Sequence, residues 1–360
     1  MCVVCSTAED LRLVHAAREA ADEILDRYLG VRLRKAFDLG SPRGFDRAVA
    51  RLATLLGSKA ATSDDAAVRA AVAVLDVDWA STAPGQRSTL ISQALEAAGR
   101  RTAAIPRALS APFGDAANEV VAATRDAARR GQGLAIAADF NALDRRIVQH
   151  LSTSQANYIR DEYGRRNEAF GERARQIVSD GLEAGLGRED LARDLEAAAR
   201  DVITGRGSFY WETVAGSFVS RGRSFAQLSS YAEAGIDRYL IEAVLDERTT
   251  EICRFLDGKT FTVATGLQTF EQVEAEPDRI SEVAPWVREA IDPDTGRKVL
   301  FVERGDSRVP LAEVTRSAVG TRDDRGDFSR ALSERDLESL GISFPPYHGL
   351  CRSSTVADVR

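Results

Sequence analysis

The chain has 360 residues, of which 44% are hydrophobic and 29% charged, and its formal net charge is −7. This balance is typical of a soluble globular protein with two or three domains. No stretch approaches the roughly 18 uninterrupted apolar residues of a membrane span, and no basic segment followed by an apolar run opens the sequence, so we expect neither a membrane helix nor a secretory signal. The four cysteines, at positions 2, 5, 253 and 351, are too scattered for a disulfide scaffold.

The charge is uneven along the chain. Residues 1–235 carry 31 basic and 31 acidic side chains, whereas residues 236–360 carry 17 basic and 24 acidic ones. A protein that coats nucleic acid is expected to be basic, so the acidic last third argues against DNA binding there. Weak contact between DNA and the neutral first part stays open.

The first two thirds predict helices. Three-and-four spacing of apolar residues predicts an amphipathic helix from Ser6 that ends near Gly30 or continues to Leu39. The Cys2–Cys5 pair before it is interpreted as thiols at a frayed terminus. Stretches separated by Gly, Pro or Ser clusters predict further helices at about 43–57, 63–77, 88–101, 113–130, 141–184, 188–201 and 208–234. The 141–184 stretch is long for a globular helix, so we expect it either to break near Gly164 or Gly171 or to project as an arm. The last of these helices has one face of bulky hydrophobic residues, which we expect in the core. This face consists of Phe209, Trp211, Val214, Phe218, Phe225 and Leu228.

The last third changes from helical to strand-like patterning. Residues 239–245 form a strand-length apolar run, and residues 290–302 predict two short strands about a Pro-Asp-Thr-Gly turn. The predicted fold class is therefore α+β, with a long-helix N-terminal region and a small α+β C-terminal module. We predict a helical domain at 1–135, long helices or a helical arm at 136–235, and the α+β module at 236–360.

Two short motifs about a hundred residues apart carry the most specific information. They are Asp246-x-Arg248-Thr249 with Cys253 and Leu256-Asp257-Gly258, and Pro345-Pro346-x-His348-x-x-Cys351-Arg352. In this order and spacing, the chain resembles the phage Mu F-like head-morphogenesis proteins over roughly residues 205–355. In that family a further cysteine often stands at the positions of Thr250 and Ser353, which gives Cys-x-x-Cys and His-x-x-Cys-Arg-Cys patterns that this chain lacks.

The resemblance implies a minor head protein of a tailed phage or prophage. Such a protein assembles in the host cytoplasm, enters the virion in few copies, and associates with portal and capsid proteins; contact with packaged DNA stays open. It has no membrane partner and no small-molecule substrate. The expectation is therefore a structural protein and not an enzyme.

Cys253, His348 and Cys351 are the soft metal ligands of the module, and they leave three interpretations open. They could hold a structural Zn²⁺, with Asp246 or Asp257 as the fourth ligand of a closed site. The two cysteines could instead form a disulfide after virion release. They could also pack as buried thiols beside the histidine.

The remaining motif residues indicate a turn. Asp246 follows the predicted strand, so its carboxylate can accept backbone N–H groups in an Asx-type turn, while Arg248 pairs with an acid. With Thr249 and Gly258, this turn is expected to fix the Cys253 segment. No phosphate loop, His-Glu-x-x-His or Gly-x-Ser-x-Gly motif is present. The alternative function is an enzyme or toxin-type activity that uses Cys253 as nucleophile with His348 as base.

Overall fold

The computed structural model describes residues 39–204, 208–293 and 295–359. The helix predicted from Ser6 and the Cys2–Cys5 pair lie outside these residues. The helices of the first part are α1 (Pro42–Leu75), α2 (Pro84–Thr102), α3 (Ile105–Gly131), α4 (Ala142–Glu183), α5 (Arg188–Ile203) and α6 (Ser208–Glu233). No strand interrupts them where the chain is described, as predicted. None of the described helices is long and apolar enough to cross a membrane.

Two helices are longer than the sequence pattern predicts. Residues 43–57 and 63–77 are predicted as separate helices but belong to the single helix α1, which begins after the N-cap residue Ser41. Gly57 does not break α1 because this glycine lies against a neighbouring helix: a Cβ there would be 3.1 Å from the Trp211 ring. Helix α3 begins at Ile105 instead of 113 and contains Pro112. The buried Phe113 beside that proline shows how packing outweighs local propensity.

Helix α4 contradicts both outcomes predicted for the 141–184 stretch. It runs for 42 residues without a break, starting at a capping box formed by Asn141 and Asp144. It is also not an arm, because it packs against α2, α3, α5 and α6. Gly171 permits one of these contacts, since a Cβ there would be 2.7 Å from Leu95 Cδ1. A glycine that suggested a break therefore marks a close helix crossing.

Helix α6 lies at the centre of the molecule. It contacts α1, α3, α4 and the sheet that contains the C-terminal strand. The bulky hydrophobic residues predicted to face the core are buried from Trp211 to Leu228. The prediction is wrong for Phe209, which is 64% exposed. Phe209 lies in the first turn of α6, where the flanking helices no longer cover it.

The helices enclose two hydrophobic clusters, and α1 and α4 contribute to both. A polar layer lies between the two clusters. There the Tyr163 hydroxyl donates a 2.8 Å hydrogen bond to Asp64 Oδ1, and the Arg166 guanidinium stacks 4.9 Å from the Tyr163 ring centre. Asp64 is only 4% exposed, and burial raises the pKa of its carboxyl to about 6.

The C-terminal part contains two small antiparallel sheets. In chain order its elements are β1 (Arg238–Glu242), α7 (Glu251–Leu256), β2 (Thr260–Thr262), α8 (Val263–Ala275), α9 (Ile280–Val283), β3 (Arg288–Ile291), β4 (Lys298–Arg304), β5 (Ser307–Arg316), β6 (Asp327–Ser329), α10 (Glu334–Ser339) and β7 (Ser354–Asp358). The sheets have the orders β2-β1-β7 and β3-β4-β5-β6. The predicted hairpin at 290–302 is present as β3 and β4, and the strand predicted at 239–245 is the shorter β1.

The α+β fold class is confirmed: long helices come first and small antiparallel sheets follow. The described residues belong to one compact unit. The larger hydrophobic cluster includes residues from both sides of the predicted boundaries at 135/136 and 235/236. The division into three domains stays a prediction.

Candidate functional site

The pairing of β1 with β7 brings the two motifs to the same place. The strands are antiparallel and in register from Arg238 opposite Asp358 to Glu242 opposite Ser354. The segment that follows β1 and the segment that precedes β7 therefore lie at the same end of this strand pair. The first of these carries the Asp246 motif and the second carries the His348 motif.

Short local structures orient the cysteines and the histidine. Thr250 is the N-cap of α7, and its Oγ1 accepts a 3.4 Å hydrogen bond from the Cys253 N–H. Cys253 therefore lies in the first turn of this helix. In the second motif, the Cys351 N–H donates to the His348 carbonyl over 3.2 Å, so the His-x-x-Cys segment is a tight turn. Both side chains of this turn reach Cys253.

Three potential metal ligands meet at this point, and we call Cys253, His348 and Cys351 the clasp. Cys253 Sγ lies 3.2 Å from His348 Nε2 and 3.8 Å from Cys351 Sγ. The three ligand atoms all lie within 4.8 Å of one another, so the group could hold a metal ion. Both cysteines are free thiols and are buried, while His348 is half-buried.

Two hydroxyl side chains complete the surroundings of the clasp. Thr250 Oγ1 lies 3.3 Å from His348 Nε2. The Ser353 side chain lies near both thiols and is 1% exposed, and its hydroxyl makes no hydrogen bond within the described residues. Hydroxyl groups thus occupy the two positions at which the resembled family often has cysteines.

The two thiols share their protons unequally. Hydrogen bonding to Cys351 and burial raise the pKa of Cys253 well above its ordinary value. Burial also raises the pKa of Cys351, but the hydrogen bond from Cys253 and the nearby His348 outweigh it, so the pKa of Cys351 lies well below its ordinary value. Each thiol therefore influences the protonation of the other. Two neighbouring thiols and an imidazole, once deprotonated, are suited to bind a soft cation.

Asp246 forms an Asx-type turn next to the clasp. Its Oδ1 accepts hydrogen bonds from the Arg248 N–H and the Thr249 hydroxyl, each at 3.0 Å, and from Arg352 at 2.5 Å. The Arg352 hydrogen bond is the main cause that lowers the pKa of Asp246 to about 2. Arg248 itself pairs with Asp46 of α1 at 3.0 Å. The turn thereby ties the first motif to the second and to the helical part.

The structure does not bring Asp257 to the clasp. One oxygen of its carboxylate accepts the Ala243 N–H at 2.8 Å, and the other accepts Arg325 Nε at 2.5 Å. Gly258 follows with a φ of +77°, and its N–H donates to the Ile241 carbonyl at 2.8 Å, which ties the turn between α7 and β2 to β1. Asp246 is likewise committed to its own turn. The expected carboxylate ligand is therefore missing among the described residues, since neither aspartate belongs to the metal-binding group.

Two buried arginines hold the site together and were not identified from the sequence. Arg254, on α7, is 1% exposed and donates to the backbone carbonyls of residues 246, 249, 321 and 324. Arg223, on α6, donates to the carbonyls of Arg352 and Ser353 and stacks on Phe45. Nothing local distinguishes such an arginine from a surface one, because its carbonyl partners come from distant segments.

We compared the chain with models of known protein families, with curated proteins and with solved structures, and none of them matches it.

Proposed function

We propose that this chain is a minor head protein of a tailed phage or prophage. In this role it acts in head assembly at the portal, associates with portal and capsid proteins, and enters the virion in few copies. Its C-terminal part is a Mu F-like module, and the clasp is a structural element of that module. The proposal rests on the motif resemblance together with the geometry of the two motifs.

The observation that carries the proposal is the convergence of the two motifs. Residues that lie 95 positions apart in the chain, Cys253 and His348, are 3.2 Å apart in space. The resemblance concerns two short motifs, and chance similarity gives no reason for them to be in contact. Thr250 and Ser353, the positions of the family's additional cysteines, lie at the same point. The positions that correspond to the family's cysteines and histidine therefore lie together in this chain.

Burial of the thiols favours a structural role over the enzyme alternative. Cys253 is 4% exposed and Cys351 is fully buried, so a substrate has no direct approach to either sulfur. Reactive cysteines are partly exposed, whereas buried ones are generally inert. A Cys253→Ser variant distinguishes the two functions. A structural clasp predicts a lower melting temperature, whereas a catalytic cysteine predicts lost activity at an unchanged melting temperature.

Zinc is the metal that this donor set fits. Two thiolates on one tetrahedral Zn²⁺, each about 2.3 Å from the ion, lie about 3.8 Å apart. Cys253 and Cys351 have this separation, 3.8 Å, and His348 would supply the nitrogen ligand. These residues fill three of four positions, and bound zinc would cross-link α7 to the segment before β7.

Metal analysis and thiol counting distinguish the three states of the clasp. The full chain is purified under reducing conditions without chelator, and zinc per chain is measured for the wild type and for Cys351→Ser. About one zinc in the wild type and none in the variant indicates a metal clasp. A mass that falls by two hydrogen atoms after exposure to air in the wild type, but not in Cys351→Ser, indicates a disulfide. Free thiols without metal under both conditions indicate packing alone.

The head-assembly role is tested with particles. The gene is deleted from its phage or prophage, and the particles formed are analysed by mass spectrometry and electron microscopy with and without complementation. We expect the chain in wild-type heads at few copies and binding of the purified chain to the portal protein. Absence from particles together with no portal binding would refute the role. Complementation with Cys253→Ser serves as the matched control for the clasp.

A further inference from the structure

The edge strands of the two sheets differ in how their backbone groups are covered. An edge strand with a free row of N–H and C=O groups is a template for pairing with another chain, so proteins usually cover or shorten it. At β2, carboxylates of α10 accept the N–H groups of Thr260 and Thr262. At β7, Gln132 accepts the Ala357 N–H, and side chains of α6 donate to the Thr355 carbonyl. Strand β6 is only three residues long and pairs irregularly with β5.

Strand β3 is the edge strand that lacks such a cover where the chain is described. The Asp292 N–H donates across the hairpin turn, whereas the Val287 N–H points the other way and donates to the Tyr347 carbonyl. Because backbone groups alternate sides along a strand, those of Glu289 and Ile291 also point away from β4. Neither residue's N–H or C=O has a hydrogen-bond partner among the described residues.

The side chains of β3 make this edge selective. Ile291 is 62% exposed, which is unusual for an apolar residue on a free edge. Arg288 and Glu289 are exposed as well. Charged side chains discourage pairing at an edge unless the incoming strand places opposite charges against them. A partner of β3 must therefore have a matching charge pattern.

We propose that β3 pairs with β3 of a second copy of this chain, antiparallel about a two-fold axis at Ala290. In this register the outward backbone groups of Glu289 meet those of Ile291 in the other copy, once on each side of the axis. Arg288 lies opposite Asp292 of the other copy, again on each side. Opposite charges directly across an antiparallel pair are stabilising, so the strand is complementary to itself. This inference is independent of the head-assembly role.

The neighbouring two-fold registers fit less well. A two-fold axis at Glu289 would place two like charges opposite each other and would need the Val287 N–H, which already donates to Tyr347. An axis at Ile291 would bring Pro293 into the ladder opposite Glu289, and proline has no N–H to donate. The axis at Ala290 is the register in which each outward N–H finds a carbonyl and each charge at position 288 finds its opposite.

The length of the free edge sets the strength of the pairing. The contact of Val287 with the Tyr347 carbonyl closes one end of the edge, and Pro293 ends the other. The added ladder is therefore short and buries much less than the roughly 1,200 Å² of a stable interface. We expect a reversible dimer that forms at high protein concentration.

Sedimentation velocity of the full chain from about 5 to about 500 µM measures this association. We expect the weight-average mass to rise towards that of a dimer. Ile291→Pro removes an outward N–H and none of the hydrogen bonds to β4, so it should weaken dimerisation at least about tenfold. The matched control Ile291→Val keeps the N–H and the β-branched side chain and should change dimerisation less than about threefold. Melting temperatures measured alongside show whether each variant is folded.

Cysteine cross-linking tests the register and does not depend on the proline variant. Opposite residues of a non-hydrogen-bonded pair have Cα atoms about 4.5 Å apart, within the range of a disulfide. Ala290→Cys should therefore form a covalent dimer under a mild oxidant such as diamide, while Ile291→Cys, two positions out of step with its counterpart, should form much less. The wild type gives the background from the natural cysteines.

Three results would overturn the proposal. A wild type that stays monomeric at the highest concentration would leave the edge to an extended segment of a different protein. Equal dimerisation of the wild type and a folded Ile291→Pro would place the interface elsewhere. Cross-linking of Ile291→Cys in preference to Ala290→Cys would contradict the register.

Discussion

The buried carboxyl of Asp64 predicts a specific pH dependence of stability. Its pKa is about 6 in the folded chain and 3.8 in its ordinary state, because burial disfavours the charged form. Between these values the folded chain holds a proton that the unfolded chain has lost. The carboxyl therefore costs nothing well below pH 4, and stability falls as the pH rises through 6. The difference between 3.8 and about 6, at 1.36 kcal/mol per pKa unit, corresponds to about 3 kcal/mol.

Replacing Asp64 with Asn isolates this effect. The amide has nearly the same shape, cannot ionise, and can still accept the hydrogen bond from the Tyr163 hydroxyl. Asp64→Asn should thus be about 3 kcal/mol more stable than the wild type at pH 8, and the difference should shrink to below about 1 kcal/mol at pH 4.

Urea unfolding followed by circular dichroism from pH 4 to pH 8 measures this difference. Asp65→Asn is the matched control, since Asp65 is the next residue of α1 and is exposed. The control should not reproduce the pH-dependent gain. A variant that is less stable than the wild type at pH 8, or a difference that does not change with pH, would refute the reasoning from burial.

Three further predictions concern the C-terminal part. Arg254→Met removes four charge-assisted hydrogen bonds to backbone carbonyls and should destabilise the chain by about 3–5 kcal/mol in urea unfolding. The control Arg248→Met loses only an exposed ion pair with Asp46 and should cost less than about 1 kcal/mol. Equal losses of stability in the two variants would contradict the assignment of Arg254. Gly341→Ala should lower the melting temperature strongly, because φ is +75° and the new Cβ would lie 1.9 Å from the Val283 carbonyl oxygen; Gly305→Ala, also at positive φ but in open space, should cost only about 1 kcal/mol. Thr250→Cys adds a thiolate beside His348 and should tighten zinc binding at least about tenfold in a chelator competition, and unchanged affinity would show that residue 250 does not reach the metal.

The C-terminal site shows which contacts can be anticipated from motifs. Cys253, His348 and Cys351 were predicted to lie close together because all three are potential ligands for a soft metal ion. Asp257 was predicted as a possible fourth ligand, yet its carboxylate binds Ala243 N–H and Arg325 instead. The residue type identifies a potential metal ligand, but the register of β1 with β7 decides which potential ligands come together at the clasp. Arg254 and Arg223 could not be recognised because their partners are carbonyl groups, which every residue has.

The sequence by itself determined the α+β class, most of the helices and the predicted hairpin, because these depend on the spacing of apolar residues over one or two turns. It also identified Cys253, His348 and Cys351 as potential ligands of one metal ion. Only the tertiary structure decided that α1 and α4 pass unbroken through Gly57 and Gly171, where glycine permits contact with Trp211 and Leu95. The same holds for the burial of Asp64 and the exposure of Phe209. Each of these outcomes depends on which distant element covers the residue, and the local pattern contains no information about that element.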